Sequence, residues 1–307
     1  MANVLAADIG GTNLRLALID EDGQLIDSCR VEARLSCHDQ QRREGAENYV
    51  LDTLSEAIIP FLNQHPVADI GIGFPGFFRG TTGVLAGSPN LPLLEDFALA
   101  QRLSERLKIR VAVQNDALCA AMGEQRYGAG KGHENLLHIT LGTGVGGGLI
   151  LAGLPYTGER GMAMEFGHLR VVHKQAHQCG CGNYGCLEAY ASATAVARRF
   201  GELSGIDTDA RRVYEYACDG NRDAALILKE TGIYLGLAIA ESVKLLDVET
   251  ITISGGLSHA WPLIHPPLMA ELNDNLIPPL RGKISVLQST LDDKAGLLGA
   301  AHIAAHH

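Results

Sequence analysis

Apolar and polar positions along the chain fall into short strand-like runs interleaved with helical periodicity, which predicts an α/β protein. Val4-Leu5-Ala6-Ala7 is a continuous apolar run ending at Asp8, as expected of a strand buried on both faces. Ile9-Gly10-Gly11-Thr12-Asn13 then makes a turn, and residues 14–19 leave it as an alternating strand. Asp22-Gly23 signals a second turn, after which residues 24–31 predict a third strand and the polar stretch to Gln41 a loop. Over 47–62, Val50, Leu51, Leu54, Ile58, Ile59 and Leu62 recur at helical spacing, with Pro60 placed to kink the last turn. Residues 67–74 read as a buried strand, and the segment through Gly87-Ser88-Pro89-Asn90-Leu91-Pro92 as a punctuated loop. A helix over 98–107 leads to a strand over 109–113, which stops at Gln114-Asn115-Asp116 as another helix begins.

The second half repeats the opening theme. The apolar run 136–141 enters Gly142-Thr143-Gly144-Val145-Gly146-Gly147-Gly148, and Leu149-Ile150-Leu151 leaves it, giving strand, glycine turn, strand. Glycines at such a bend let backbone N–H groups converge on one point, a nest for phosphate oxygens. Two units of this kind suggest a duplicated fold gripping one polyphosphate. Helices are expected over 189–203, 209–218 and 223–246, and a strand over 248–253 runs into Ser254-Gly255-Gly256, a third glycine turn opening a helix. A last strand over 285–288 and a closing helix over 295–305 complete the pattern, with His302, His306 and His307 as a solvated tail.

Composition changes this picture little. The 307 residues suffice for two domains, and a net charge of -10 argues against nonspecific affinity for nucleic acid or anionic membrane. No apolar run approaches a membrane span and no basic leader precedes Val4, so a cytoplasmic protein is expected. Three of the seven cysteines crowd into Cys179-Gly180-Cys181-Gly182-Asn183-Tyr184-Gly185-Cys186, which points to metal rather than disulfides.

Two glycine patterns are decoys. Gly142, Gly144, Gly147 and Gly71, Gly73, Gly76 both satisfy G-x-G-x-x-G, but a strand leaves the first and Pro75 breaks the second, whereas a dinucleotide site needs a helix there. Gly123 and Gly128 have the P-loop interval, but Ala129 stands where lysine is required. Cys179, Cys181 and Cys186 with His168 upstream supply the four ligands of a closed structural zinc site, His173 and His177 being rivals for the fourth. Asn115-Asp116 suits either a helix cap or a ligand site at the carboxyl end of a strand.

With these motifs in hand, the sequence resembles the ROK family of bacterial sugar kinases and repressors along essentially its whole length. Residues 8–12 look like that family's first phosphate motif, residues 141–148 like its second, and Glu165-Phe166-Gly167-His168 and residues 179–188 like its two signature segments. One departure is Met164, where glycine is usual. The resemblance implies a two-domain, actin-like (ribonuclease H-like) α/β ATPase fold with an interdomain cleft. The expected domains are residues 1–116, with the helix 294–307 packing back on them, and residues 117–293 carrying the zinc site. It further implies Asp116 as catalytic base; Asn90, Asn115, Glu165, His168 and Glu188 as sugar ligands; and His168, Cys179, Cys181 and Cys186 around a structural zinc. Asp8 would sit near Mg²⁺, with Gly10, Gly11, Thr12, Asn13, Gly142, Thr143 and Gly144 around the ATP phosphates and Gly255 and Gly256 near the adenosine.

The expected activity is ATP-dependent phosphorylation of a hexose at its 6-hydroxyl by a homodimeric enzyme. Glucose leads because Pro89-Asn90-Leu91-Pro92 resembles the loop of the family's glucokinases. N-acetylglucosamine, N-acetylmannosamine, fructose and allose are alternative acceptors, and polyphosphate an alternative donor. A sugar-sensing or repressor role is the reading from a different class. It is disfavoured by the acidic balance and by a first phosphate strand beginning at Val4, ahead of which no DNA-binding domain fits.

Overall fold

The computed structural model describes residues 3–10, 13–35, 42–89 and 91–306. Its elements are, in chain order, β1 (Val4–Ile9), β2 (Asn13–Ile19), β3 (Leu25–Glu32), α1 (Arg43–Leu62), β4 (Asp69–Phe74), β5 (Phe77–Phe78), β6 (Leu85–Gly87), β7 (Glu95–Phe97), α2 (Leu99–Leu107), β8 (Arg110–Asn115) and α3 (Asp116–Tyr127). There follow β9 (Leu136–Leu141), β10 (Val145–Leu151), β11 (Leu154–Pro155), α4 (Glu188–Ala191), α5 (Ala193–Ser204), α6 (Ala210–Cys218), α7 (Arg222–Leu246), β12 (Thr250–Ser254), α8 (Trp261–Asn275), β13 (Ser285–Gln288) and α9 (Ala295–Ala305). The chain divides into two compact units: Met1–Gly132 with Gly148–Ala163 and Asp293–His307, and His133–Gly147 with Met164–Asp292. Among the described residues no helix is long and apolar enough to cross a membrane.

The first unit is built on the sheet β3-β2-β1-β4-β8. β1, β2 and β3 form an antiparallel meander, while β4 and β8 add in parallel to β1. The continuous apolar runs of β1 and β4 are buried, as a covered parallel pair requires. β3, at the sheet's edge, is mostly exposed. Helix α1 buries Val50, Leu51, Leu54 and Ile58 on one stripe, and Pro60 is accommodated inside its last turn.

Helix α9 closes this unit through bare backbone. A Cβ on Gly71 of β4 would lie 1.8 Å from the Ala300 carbonyl oxygen, one on Gly123 of α3 would lie 2.1 Å from that of Ala295, and one on Gly299 of α9 would lie 1.7 Å from that of Cys119. Only hydrogen at these positions lets α3, α9 and β4 approach so closely. In the small sheet β5-β6-β7, β5 and β6 lie within the segment read as a loop and β7 just beyond it: the strands are two or three residues long, too short to carry an alternating signal.

In the second unit β12 pairs in parallel with β9 on one side and β13 on the other, and β10 begins beyond β9. Helices α5, α6 and α7 open at Ser192, Asp209 and Asn221, each of whose side chains accepts an N–H hydrogen bond from the first turn. Ser192 therefore splits the helix expected over 189–203 into α4 and α5. The helix expected to open at Gly255-Gly256 starts as a short 3₁₀ turn over Gly256–Ala260 and continues as α8; Pro262 lies in the first turn of α8, where a missing N–H is tolerated, while Pro266 and Pro267 lie inside the helix.

Candidate active site and metal centre

In the first unit the candidate groups gather where β1, β4 and β8 end, the edge at which open α/β sheets place ligands. Asp8 pairs across to Gly73, and Gly73 to Gln114. A Cβ on Gly73 would lie 3.6 Å from Asp8 Oδ1 and 3.6 Å from the Asp116 Cα, so the two aspartates flank this glycine. Asp116 opens α3, and its Oδ1 accepts from the Ala117 N–H at 2.9 Å. Asn115 caps the same helix: its Oδ1 accepts from Leu118 N–H at 3.0 Å and its Nδ2 donates to the Gly76 carbonyl at 3.0 Å. Among the described residues, one N–H and one acceptor position of the amide remain for another partner. The turn after β1 is closed by Gly10 N–H donating to the Asn13 carbonyl at 2.9 Å. Gly11, Thr12 and Asn90 lie outside the described residues.

Arg15 is a participant the motifs do not mark. It stands opposite Asp8 in the β1–β2 register, and its guanidinium pairs with both Asp8 and Asp293. The alternation of β2 places a residue there, but nothing in the sequence says that it faces the carboxylate.

The second unit carries the other glycine turns. Between β9 and β10, Gly142 N–H donates to the Gly144 carbonyl at 3.0 Å, and Thr143 is exposed at the tip. The start of α5 pins this turn from outside: Ala193 N–H donates to the Gly142 carbonyl at 2.8 Å and Thr194 Oγ1 to the Thr143 carbonyl at 2.9 Å. Glu188 holds its far end, with Oε2 accepting from Val145 N–H at 3.0 Å. Gly255, at the end of β12, has φ +91°, and a Cβ there would stand 2.3 Å from the Leu141 carbonyl oxygen, so the third turn rests against the strand feeding the second. Its position therefore requires glycine on both conformational and steric grounds.

The segment 164–168 lies against the start of β10. A Cβ on Gly167 would meet the Val145 carbonyl oxygen at 2.3 Å, and one on Gly147 the Met164 carbonyl oxygen at 2.6 Å. Met164 takes φ +67°, the left-handed conformation that makes glycine usual at this point. His168 directs its two ring nitrogens differently: Nδ1 lies 3.6 Å from Cys179 Sγ, and Nε2 lies 3.5 Å from Glu165 Oε2. Partial burial raises the Glu165 carboxyl above its ordinary range, with His168 opposing and Glu188 reinforcing the shift.

His168, Cys179, Cys181 and Cys186 present ligand atoms that all lie within 4.8 Å of one another. Four-coordinate zinc with Zn–S bonds of about 2.3 Å and a Zn–N bond of about 2.0–2.1 Å requires tetrahedral edges of about 3.8 Å between sulfurs and about 3.5 Å between sulfur and nitrogen. The Cys181–Cys186 sulfurs are 3.8 Å apart and the Cys179–His168 pair 3.6 Å, so the donor set fits the ion in both chemistry and spacing. Burial, aided by the neighbouring thiols, pushes Cys179 up to about 12, so a thiolate there calls for a cation. The rival His177 is turned away, its Nδ1 3.0 Å from Arg198 Nη1 and its Nε2 3.9 Å from Glu202. Glu188 joins the cluster to the glycine turn: Oε1 accepts from Cys179 Sγ at 3.7 Å while Oε2 holds Val145.

Comparison with known proteins is decisive for the family. The model of the ROK family matches residues 4–307. The chain belongs to the ROK family. It is 32% identical to a glucokinase from Thermotoga maritima, covering 98% of this chain and 96% of that protein. It is 34% identical to an N-acetylgalactosamine kinase from Shewanella sp., over 84% of this chain and 82% of the other. Among solved structures, a ROK family glucokinase from Streptomyces griseus in complex with glucose and AMPPNP superposes with a TM-score of 0.84 at 30% identity, covering 99% of this chain and 100% of that one. The fold is the two-domain, actin-like ATPase fold of ROK sugar kinases.

Proposed function

We propose that this chain, an ATP-dependent sugar kinase, phosphorylates glucose at its 6-hydroxyl with Asp116 as general base. A sugar hydroxyl is a weak nucleophile, and a carboxylate within hydrogen-bond reach orients it and takes its proton as the phosphoryl group transfers. Asp116 suits this role because it projects from a strand end beside Asp8, across a glycine that leaves the space open. Asp8 would offer a carboxylate oxygen to the Mg²⁺ that accompanies ATP, an ion that neutralises phosphate charge when bound. The backbone N–H groups of residues 10–13 and 142–144 would hold the phosphates, and Gly255-Gly256 would face the adenosine.

Glu165, His168, Glu188, Asn115 and Asn90 would take sugar hydroxyls, for which carboxylates and amides are suited because each can engage more than one. Zinc held by Cys179, Cys181, Cys186 and His168 Nδ1 would act as a structural clamp. With Nδ1 so engaged, the His168 Nε2 N–H would be left for Glu165, 3.5 Å away, and for a sugar hydroxyl. Glucose is favoured over other acceptors by one observation, the end-to-end likeness to glucokinases, including the one bound to glucose and AMPPNP. The 34% identity to an N-acetylgalactosamine kinase keeps acetamido sugars as the second reading.

The test is ADP release from Mg-ATP with glucose, mannose, allose, fructose, N-acetylglucosamine, N-acetylmannosamine and N-acetylgalactosamine, compared by kcat/KM. Glucose exceeding every other sugar by tenfold or more is the expected result. An acetamido sugar winning by that margin would replace glucose.

A further inference from the structure

His138 lies in the middle of β9 with none of its surface exposed. Its Nδ1 is 2.8 Å from Thr252 Oγ1, and its Nε2 is 3.0 Å from Ser254 Oγ and 3.3 Å from Thr140 Oγ1. Thr252 pairs with His138 in the parallel β9–β12 register, and Ser254 pairs with Thr140. The four side chains thus form a polar column along one face of two adjacent strands, while Leu137, Ile139, Leu141, Ile251 and Ile253 alternate with them as ordinary buried apolar residues. A column of this kind is not needed for packing, since buried polar groups help only when fully and directionally paired. Its direction is informative. Thr140 stands two residues before Gly142, and Ser254 immediately before Gly255, whose backbone rests on the Leu141 carbonyl.

We propose that His138 is a positioning residue for the nucleotide: anchored by Thr252, it ties the hydroxyls of Thr140 and Ser254 together and so fixes the glycine turns 142–144 and 255–256 against each other. The inference rests on the reading that these turns hold ATP. Burial pushes the ring's pKa down to about 3, so it stays neutral, with one nitrogen donating and the other accepting, and the network keeps one protonation state through the physiological range. Phosphate and adenosine would meet two different turns of this unit, and the gap between the turns would be set by one rigid ring rather than by flexible side chains.

Isothermal titration of the full-length protein with Mg-AMPPNP, and separately with the sugar that turns over best, tests the inference. His138→Phe keeps the volume and removes the hydrogen bonds; it should weaken AMPPNP on the order of tenfold, the equivalent of one lost hydrogen bond, and leave sugar affinity within twofold. Ser254→Ala and Thr252→Val, smaller changes at either end of the column, should weaken AMPPNP in the same sense. The double variant His138→Phe/Ser254→Ala should be no weaker than the worse single one, because both remove the same link. His138→Gln, which keeps a donor and an acceptor, should recover part of the affinity. Folded Ser254→Ala and Thr252→Val proteins that bind AMPPNP as tightly as the unmodified chain would overturn the proposal, as would equal losses of nucleotide and sugar affinity. Thr143→Pro, which removes one of the backbone N–H groups assigned to the phosphates, separates the two levels. If it weakens AMPPNP while the column variants do not, the role of His138 fails alone. If it too has no effect, the nucleotide reading of the turns fails with it.

Discussion

Acid should destabilise this protein through His138 in a way that can be calculated. Burial pushes the ring to about 3, against 6.5 for an accessible histidine. Between those values the unfolded chain binds a proton that the folded chain refuses, so stability rises with pH across the window. The contribution is intact above pH 6.5 and is lost progressively as pH falls toward 3. Lowering pH from 7 to 4.5 should therefore remove about 2–3 kcal/mol by this group alone, from the free energy that each unit of pKa difference represents. Urea unfolding of the unmodified chain and of His138→Gln at several pH values isolates the effect, because losses from His302 and from any bound zinc are common to both; His302, expected in a solvated tail, lies instead half-buried within α9, where burial pushes it to about 4. The difference between the two proteins should shrink by roughly 2–3 kcal/mol over this interval. Parallel stability curves from pH 7 to 4.5 would refute the reasoning, since they would mean that water or a relaxed backbone lets the buried ring accept a proton.

Three further outcomes follow from the packing and the candidate metal site. Cys181→Ser should reduce zinc, measured by plasma mass spectrometry, from about one ion per chain to almost none and weaken sugar binding, because His168 loses the ion that fixes its ring; an unmodified protein free of zinc would remove the clamp from the account. Gly299→Ala gains about 1 kcal/mol of helix propensity but places a Cβ 1.7 Å from the Cys119 carbonyl oxygen, an overlap costing about 1–3 kcal/mol. Net loss of stability in urea is expected, and stabilisation would show that α3 and α9 can separate freely. Met164→Gly relieves a left-handed residue worth about 1–2 kcal/mol while adding about 0.4–1 kcal/mol of unfolded-chain entropy. The protein should become slightly more stable, and a loss beyond 1 kcal/mol would mean that the Met164 side chain contributes more than its strain removes.

Much of the element order was legible in the sequence: β13 and α9 lie where the pattern places them, and β1 and β2 follow the apolar runs that flank the first glycine turn. The short β5, β6 and β7 left no periodic trace, and the helix expected to open at Gly255-Gly256 had no legible extent, because Pro262, Pro266 and Pro267 interrupt the pattern of α8. The cysteine spacing announced a metal site and the family resemblance pointed to His168; spacing alone left His173 and His177 as rivals, and the structure brings His168 to the thiols while His177 turns to Arg198. Likewise the alternation of β2 and β9 marked Arg15 and His138 only as strand residues. Their partners, Asp293 in one case and Thr252 and Ser254 in the other, are far away in sequence and adjacent only through sheet pairing. Met164 shows the reverse: its departure from glycine was visible in the chain, and the structure gives it the backbone conformation that glycine would occupy without strain.

The central claim, that Asp116 accepts the proton of the attacking sugar hydroxyl, is tested most directly by turnover of Asp116→Asn under saturating Mg-ATP and glucose, with glucose affinity measured on the same protein. Asparagine keeps the shape and the hydrogen bond to Ala117 but cannot take a proton. A fall in kcat of roughly a hundredfold to ten-thousandfold, with glucose affinity changed only a few-fold, is the predicted result. Near-normal turnover would contradict it and leave Asp116 as a helix-terminal residue without a part in the chemistry.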